Sequence, residues 1–131
     1  MDTPPKRRVL IVANRTAATP RLLEAVRRRR KGGPCEFALL IPDVGDRKKA
    51  DWTLDNAVPL LSRAAGSPVE GLIGGADAFA SVQDAVRAAQ FDEIIVSTLP
   101  ARVSRWLHQD LPGRLEHKFH LPVTHVPARD V

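Results

Sequence analysis

Tyrosine is missing from this chain of 131 residues, cysteine and methionine occur once each, and tryptophan occurs twice. The single cysteine, Cys35, excludes a disulfide framework within the chain and any metal site built on several thiolates. No run approaches the ~18 apolar residues of a membrane-spanning helix, so a membrane protein is not expected. Lys6, Arg7 and Arg8 are followed only by the short run Val9 to Ala13. That is too brief for the apolar region of a signal peptide, and a reduced, cytoplasmic protein is the expectation. Internal repeats, low-complexity stretches and linkers are also lacking. The domain is expected to run from Arg8 to Pro127, with residues 1–7 and 128–131 as flexible tails.

Basic residues are plentiful. Twenty Lys and Arg against fifteen Asp and Glu give a net charge of +5, which favours anionic partners. The densest run is Arg27 to Lys31, at the end of a helix that Thr19-Pro20 opens and Gly32-Gly33-Pro34 stops. Arg28 and Arg29 are read as facing away from the inward Leu22 and Val26, on a solvated face. With aromatics at 5% and no basic-aromatic interleaving or helix-turn-helix pattern, nucleic acid is not the expected partner.

Short apolar runs punctuate the chain. Val9 to Ala13, Phe37 to Ile41, Val69 to Ile73, Ile94 to Val96 and Pro122 to Val126 read as five strands, the first two apolar on both faces. Between them lie helical patterns. The first is the helix ending at Lys31, and the second spans Asp51 to Ala65, where Pro59 predicts a kink or a late start. A third helix is capped by Asp77, and two short pieces cover Val103 to His108 and Pro112 to Phe119, the latter capped by Asp110. Val44 to Ala50 reads as polar loop. The alternation predicts a doubly wound, three-layer α/β domain around an open parallel sheet.

In such sheets ligands sit beyond the carboxyl ends of the strands. The residues delivered there are Asn14, Arg15 and Thr16 after the first strand and Asp43 after the second. Ser97, Thr98, Arg102, Ser104 and Arg105 follow the fourth. Hydroxyls and guanidinium groups in that setting suit a phosphate or another oxyanion. The same residues also serve as ordinary helix caps and solvated charges.

Several segments, in this order, resemble the universal stress protein family within the adenine-nucleotide α-hydrolase-like group. They are the opening strand and loop from Arg8 to Thr16, Gly74-Gly75-Ala76-Asp77 before the third helix, Phe91 to Thr98, and Leu121 to Val126. Ser97 to Leu107 is similar to a divergent, actinobacterial-type branch. The resemblance implies a Rossmann-like five-stranded sheet of order 3-2-1-4-5, frequent dimerisation, a role in stress response and, in some members, ATP binding. The chain departs from the ATP-binding members in two places. Their glycine-rich stretch after the fourth strand is replaced here by Leu99, Pro100 and Arg102, with Gly113 the nearest glycine, and their acidic residue after the first strand is Asn14. Glycines let backbone approach phosphates closely, so their loss points to a changed ligand or a lost site.

Other constellations carry less. His117 and His120 share helical spacing, but no Asp or Cys accompanies them, and no metal site is expected. Ser97 lies in no nucleophile elbow. Asp43 suits a general base or a turn equally. Cys35 is expected to pack at the start of the second strand, away from the site. The resulting expectation is a non-catalytic binding or regulatory module. It takes ATP, another nucleotide or a small phosphorylated anion at the loops after strands one and four, and pairs as a homodimer through its last strand. A domain for protein interaction that has lost the ligand, and a weak nucleotide hydrolase, are the alternatives.

Overall fold

The computed structural model describes residues 6–42, 46–100 and 102–128. Five parallel strands form one sheet: β1 (Arg7–Val12), β2 (Cys35–Ile41), β3 (Glu70–Ile73), β4 (Glu93–Thr98) and β5 (Val123–Pro127). Their spatial order is β3-β2-β1-β4-β5. β1 lies at the centre, with Val9 aligned to Phe37 on one side and to Glu93 on the other. Val9 to Ala13 have no exposed surface, which explains a run apolar on both faces.

Helices cover both faces. α1 (Pro20–Lys31) and α2 (Arg47–Ala65) pack Leu22, Val26, Ala57 and Leu61 against Val9, Ile11, Leu39 and Ile41. α3 (Ala78–Ala88), α4 (Arg105–His108) and α5 (Leu111–Phe119) bury Val82, Trp106, Leu111 and Leu115 against Leu10, Val12, Ile94 and Val96. Among the described residues no helix is long and apolar enough to cross a membrane.

Caps set the helix boundaries. The side chains of Thr19, Asp77 and Asp110 accept backbone N–H groups at the first turns of α1, α3 and α5. α2 begins earlier than the sequence pattern implies. Asp46 Oδ1 accepts the Lys48 amide at 2.9 Å and starts the helix at Arg47, so the second half of the expected loop is helical. Pro59 therefore sits deep inside α2, not near a late start. It lies on the exposed side, where water can satisfy the Asp55 carbonyl that lacks an amide partner. α2 ends on Gly66, whose φ of 73° is the left-handed conformation glycine takes without strain.

One face assignment is corrected. Arg29 does not point away from the buried side of α1. It stands three residues after Val26 and seven after Leu22, one and two turns along the same stripe. Its guanidinium grips Glu93 with two bonds, Nε to Oε1 at 2.7 Å and an Nη to Oε2 at 2.6 Å. Arg7 Nε adds a third at 2.9 Å. These bonds hold the Glu93 carboxyl below the usual carboxylate range and raise the Arg29 guanidinium further. The cluster ties α1 to the amino ends of β1 and β4. Cys35 is buried beside it at the start of β2, with its thiol pushed up by burial.

Candidate functional site

The strand order reverses between β1 and β4. From β1 the chain passes to the α1/α2 layer, and from β4 to the layer of α4 and α5. The two departing loops leave a crevice above the carboxyl ends of the central strands. A cleft of about 440 Å³ opens there, lined by Asn14, Arg15 and Thr16 from the first loop and by Ser97, Thr98, Ser104 and Arg105 from β4 and the segment after it. That volume lies within the range of small-molecule sites.

Seven of the nine residues anticipated from sequence thus line one cleft. Arg102 is exposed in the turn before α4 and is not part of the lining. Asp43 falls outside the described residues. Three further residues complete the walls: Leu99, Val103 and Trp106. Val103 is 56% exposed and Trp106 9%, and with Leu99 they give the lining an apolar part. The sequence offered one signal for that part, a rare tryptophan directly after Arg105.

The hydroxyls do structural work at the cleft floor. Thr16 Oγ1 and Ser97 Oγ are 2.7 Å apart and share a hydrogen bond, with 3% and 1% exposure. Ser97 Oγ also reaches the Thr16 carbonyl at 3.5 Å. This pair joins the loop after β1 to the end of β4, across 81 positions of sequence. Asn14 Nδ2 donates to the Pro42 carbonyl at 2.7 Å, tying the same loop to the end of β2. Ser104 Oγ accepts the Leu107 amide at 3.1 Å and caps α4.

Thr98 Oγ1 lies 2.8 Å from His125 Nε2 on β5, a pairing that sequence spacing gave no means of finding. Partial desolvation lowers the His125 pKa from its ordinary value, which favours the neutral ring. Thr98 is therefore able to donate its hydroxyl proton to that ring. Charge in the described lining comes from Arg15 and Arg105, without a carboxylate. An anion is the species such a wall attracts.

No family model matches the chain, and no curated protein does. Solved structures match over nearly its whole length. A universal stress protein in complex with cAMP superposes with a TM-score of 0.71 over 95% of this chain and 98% of its own, at 10% identity. The fold is that of the universal stress proteins. A universal stress protein from Archaeoglobus fulgidus gives a TM-score of 0.64 over 92% and 93% of the two chains, at 15% identity. A hypothetical protein gives 0.67 over 95% and 99%, at 19% identity. At such identities the likeness to universal stress proteins is one of fold, including the strand order β3-β2-β1-β4-β5.

Proposed function

We propose that this protein is a non-catalytic, universal stress protein-like binding module that takes a nucleotide or another small phosphorylated anion in the cleft between β1 and β4. The observation that carries the reading is the lining itself, which combines Arg15 and Arg105 with the apolar Leu99, Val103 and Trp106 at the reversal of strand order. Guanidinium groups serve a phosphate and the apolar wall serves a base. The structural neighbour that holds cAMP supports the nucleotide class. β5 is an edge strand with Thr124 and His125 exposed, and pairing with a second copy covers that edge. A monomer by light scattering refutes the dimer.

Thermal unfolding across ATP, ADP, AMP, cAMP and free phosphate at fixed ionic strength tests the ligand. A ligand at 100 times its Kd adds about 2.7 kcal/mol, a shift of several degrees. The expected result is a nucleotide-dependent rise that Arg105→Ala diminishes. A flat response across the panel overturns the reading.

The Thr98–His125 pair supports a second reading, weak hydrolysis of the bound nucleotide, because an imidazole nitrogen lies 2.8 Å from a hydroxyl at the cleft. Turnover that requires magnesium and is lost in Thr98→Val favours it. Binding without turnover excludes it.

A further inference from the structure

Charge is divided unevenly between the two helical layers. α1 carries six basic residues and one acid, and α2 four and two. That layer therefore holds a surplus of seven positive charges, more than the +5 of the whole chain, and the remaining residues are net acidic. Arg29 is engaged by Glu93, and Arg27 and Arg28 share Glu24 at 3.4 Å. The Glu24 pairs are exposed, weak and screened by salt, so apart from Arg29 the surplus is available to a polyanion. Arg7 and Arg8 near the amino terminus are engaged elsewhere: Arg7 binds Glu93, and Arg8 stacks on Phe91.

The fold adds what sequence spacing alone did not show, an aromatic platform inside the basic field. Trp52 is 69% exposed. At 3.6 residues per turn, Lys48, Lys49, Asn56, Pro59 and Arg63 all fall within about 60° of it around the α2 axis. All five are exposed. Asp55 lies on one flank, and Asp51 is paired with Arg47 at 3.5 Å further round. At the carboxyl end of α2 the Arg30 guanidinium lies over Gly66, which joins the basic end of α1 to the same surface. Trp52 and Leu60 are the exposed large hydrophobics of this layer. Two such residues among so many charges do not make the charge-depleted apolar centre of a protein interface. One tryptophan is likewise too little apolar surface for a membrane-bound face.

We propose that the α1/α2 face binds single-stranded nucleic acid, with a base stacked on Trp52 and the phosphates following Lys48, Lys49, Arg63 and the basic end of α1. Stacking on one aromatic and contacts to phosphate demand no sequence, so recognition is of the backbone and of any base. A helix of 19 residues is about 28 Å long, which suits a site of a few nucleotides. This site is separate from the cleft and does not depend on its ligand.

Fluorescence anisotropy of a labelled oligothymidylate of about 15 nucleotides, titrated with the intact protein at ~50 mM salt and above, tests it. The expected affinity falls linearly with salt on logarithmic axes. Lys48→Ala with Lys49→Ala lowers that slope by about 1.4, at roughly 0.7 per contact. Trp52→Ala weakens binding about 5- to 150-fold, while Trp52→Phe keeps most of it. Arg87→Ala, which removes one positive charge from α3 on the opposite layer, leaves the affinity within about twofold. No binding at ~50 mM salt, or Trp52→Ala binding like the wild type, overturns the proposal. Displacement by polyglutamate as effective as by unlabelled oligonucleotide overturns it in favour of an acidic protein partner.

Discussion

The bond between Thr16 and Ser97 is the contact most open to a quantitative test, because both hydroxyls are buried and each has few partners. Replacing Ser97 by Ala leaves the Thr16 hydroxyl, 3% exposed, without its 2.7 Å partner. Stranding a buried hydroxyl costs about 1–3 kcal/mol, and about 2 is expected here. Thr16→Val keeps the shape and removes the other hydroxyl. Ser97 Oγ then retains only its 3.5 Å approach to the Thr16 carbonyl, at the limit of a hydrogen bond. The expected cost is lower, about 1 kcal/mol. In the double variant neither hydroxyl is left to desolvate, so the loss falls below the sum of the two singles by about 1 kcal/mol. Urea unfolding of the four proteins, followed by circular dichroism, gives the cycle directly. Strictly additive losses refute the reasoning, since they would mean that the two hydroxyls do not depend on each other.

Two further outcomes follow from contacts elsewhere. Glu93→Gln removes the countercharge of Arg29, whose side chain is 21% exposed, and costs about 2–3 kcal/mol at neutral pH by urea unfolding. Because the folded Glu93 pKa lies below its ordinary value, this stability is complete above the ordinary carboxylate range and is lost as pH falls through the depressed value. Wild type and variant therefore converge in acid, and a gap that stays constant there contradicts the assignment. Gly74→Ala would bring a Cβ within 2.6 Å of Ser81, which is fixed by bonds to the Gly75 amide at 2.9 Å and the Asp77 carbonyl at 2.8 Å. A loss of about 1–3 kcal/mol in the same assay is expected, against about 0.5 or less for Gly75→Ala, whose Cβ meets nothing within 4 Å.

The strands were legible because each is a short apolar run between breakers, and three helix starts were legible because Thr19, Asp77 and Asp110 carry the acceptor the first turn requires. The start of α2 was missed although Asp46 is the same kind of signal. Arg47, Lys48 and Lys49 present no apolar stripe, and the pattern of burial begins only at Ala50. Arg29 was misplaced because its charge outweighed its position on the stripe of Leu22 and Val26. Its partner Glu93 lies 64 residues away. The loops that frame the cleft followed from the rule for parallel sheets, but their internal bonds did not. Thr16 meets Ser97, and Thr98 meets His125, only because β1 neighbours β4 and β4 neighbours β5. The apolar wall was hidden for a related reason. Leu99, Val103 and Trp106 carry no ligand chemistry that sequence reasoning looks for, and only the crevice between the departing loops brings them into one lining.

The segment after β4 also decides how an anion is held in the cleft. A phosphate cradle made of backbone needs free amides and close approach, and both are reduced here. Pro100 has no amide hydrogen, Val103 donates its own to the Pro100 carbonyl at 2.9 Å, and the Leu107 amide is taken by the Ser104 hydroxyl. α4 has only four residues, too few for a substantial dipole at its start. With these amides taken, side chains carry more of the favourable charge, and Arg15 and Arg105 lie in the lining. Both are exposed, so their attraction for a phosphate is screened at a Debye length of about 8–10 Å in physiological salt. The stabilisation that a nucleotide confers is accordingly expected to shrink steadily as sodium chloride rises from ~50 mM to ~500 mM at constant ligand concentration. A thermal shift unchanged across that range would locate recognition in the apolar wall and the backbone, and would remove the arginines from their role.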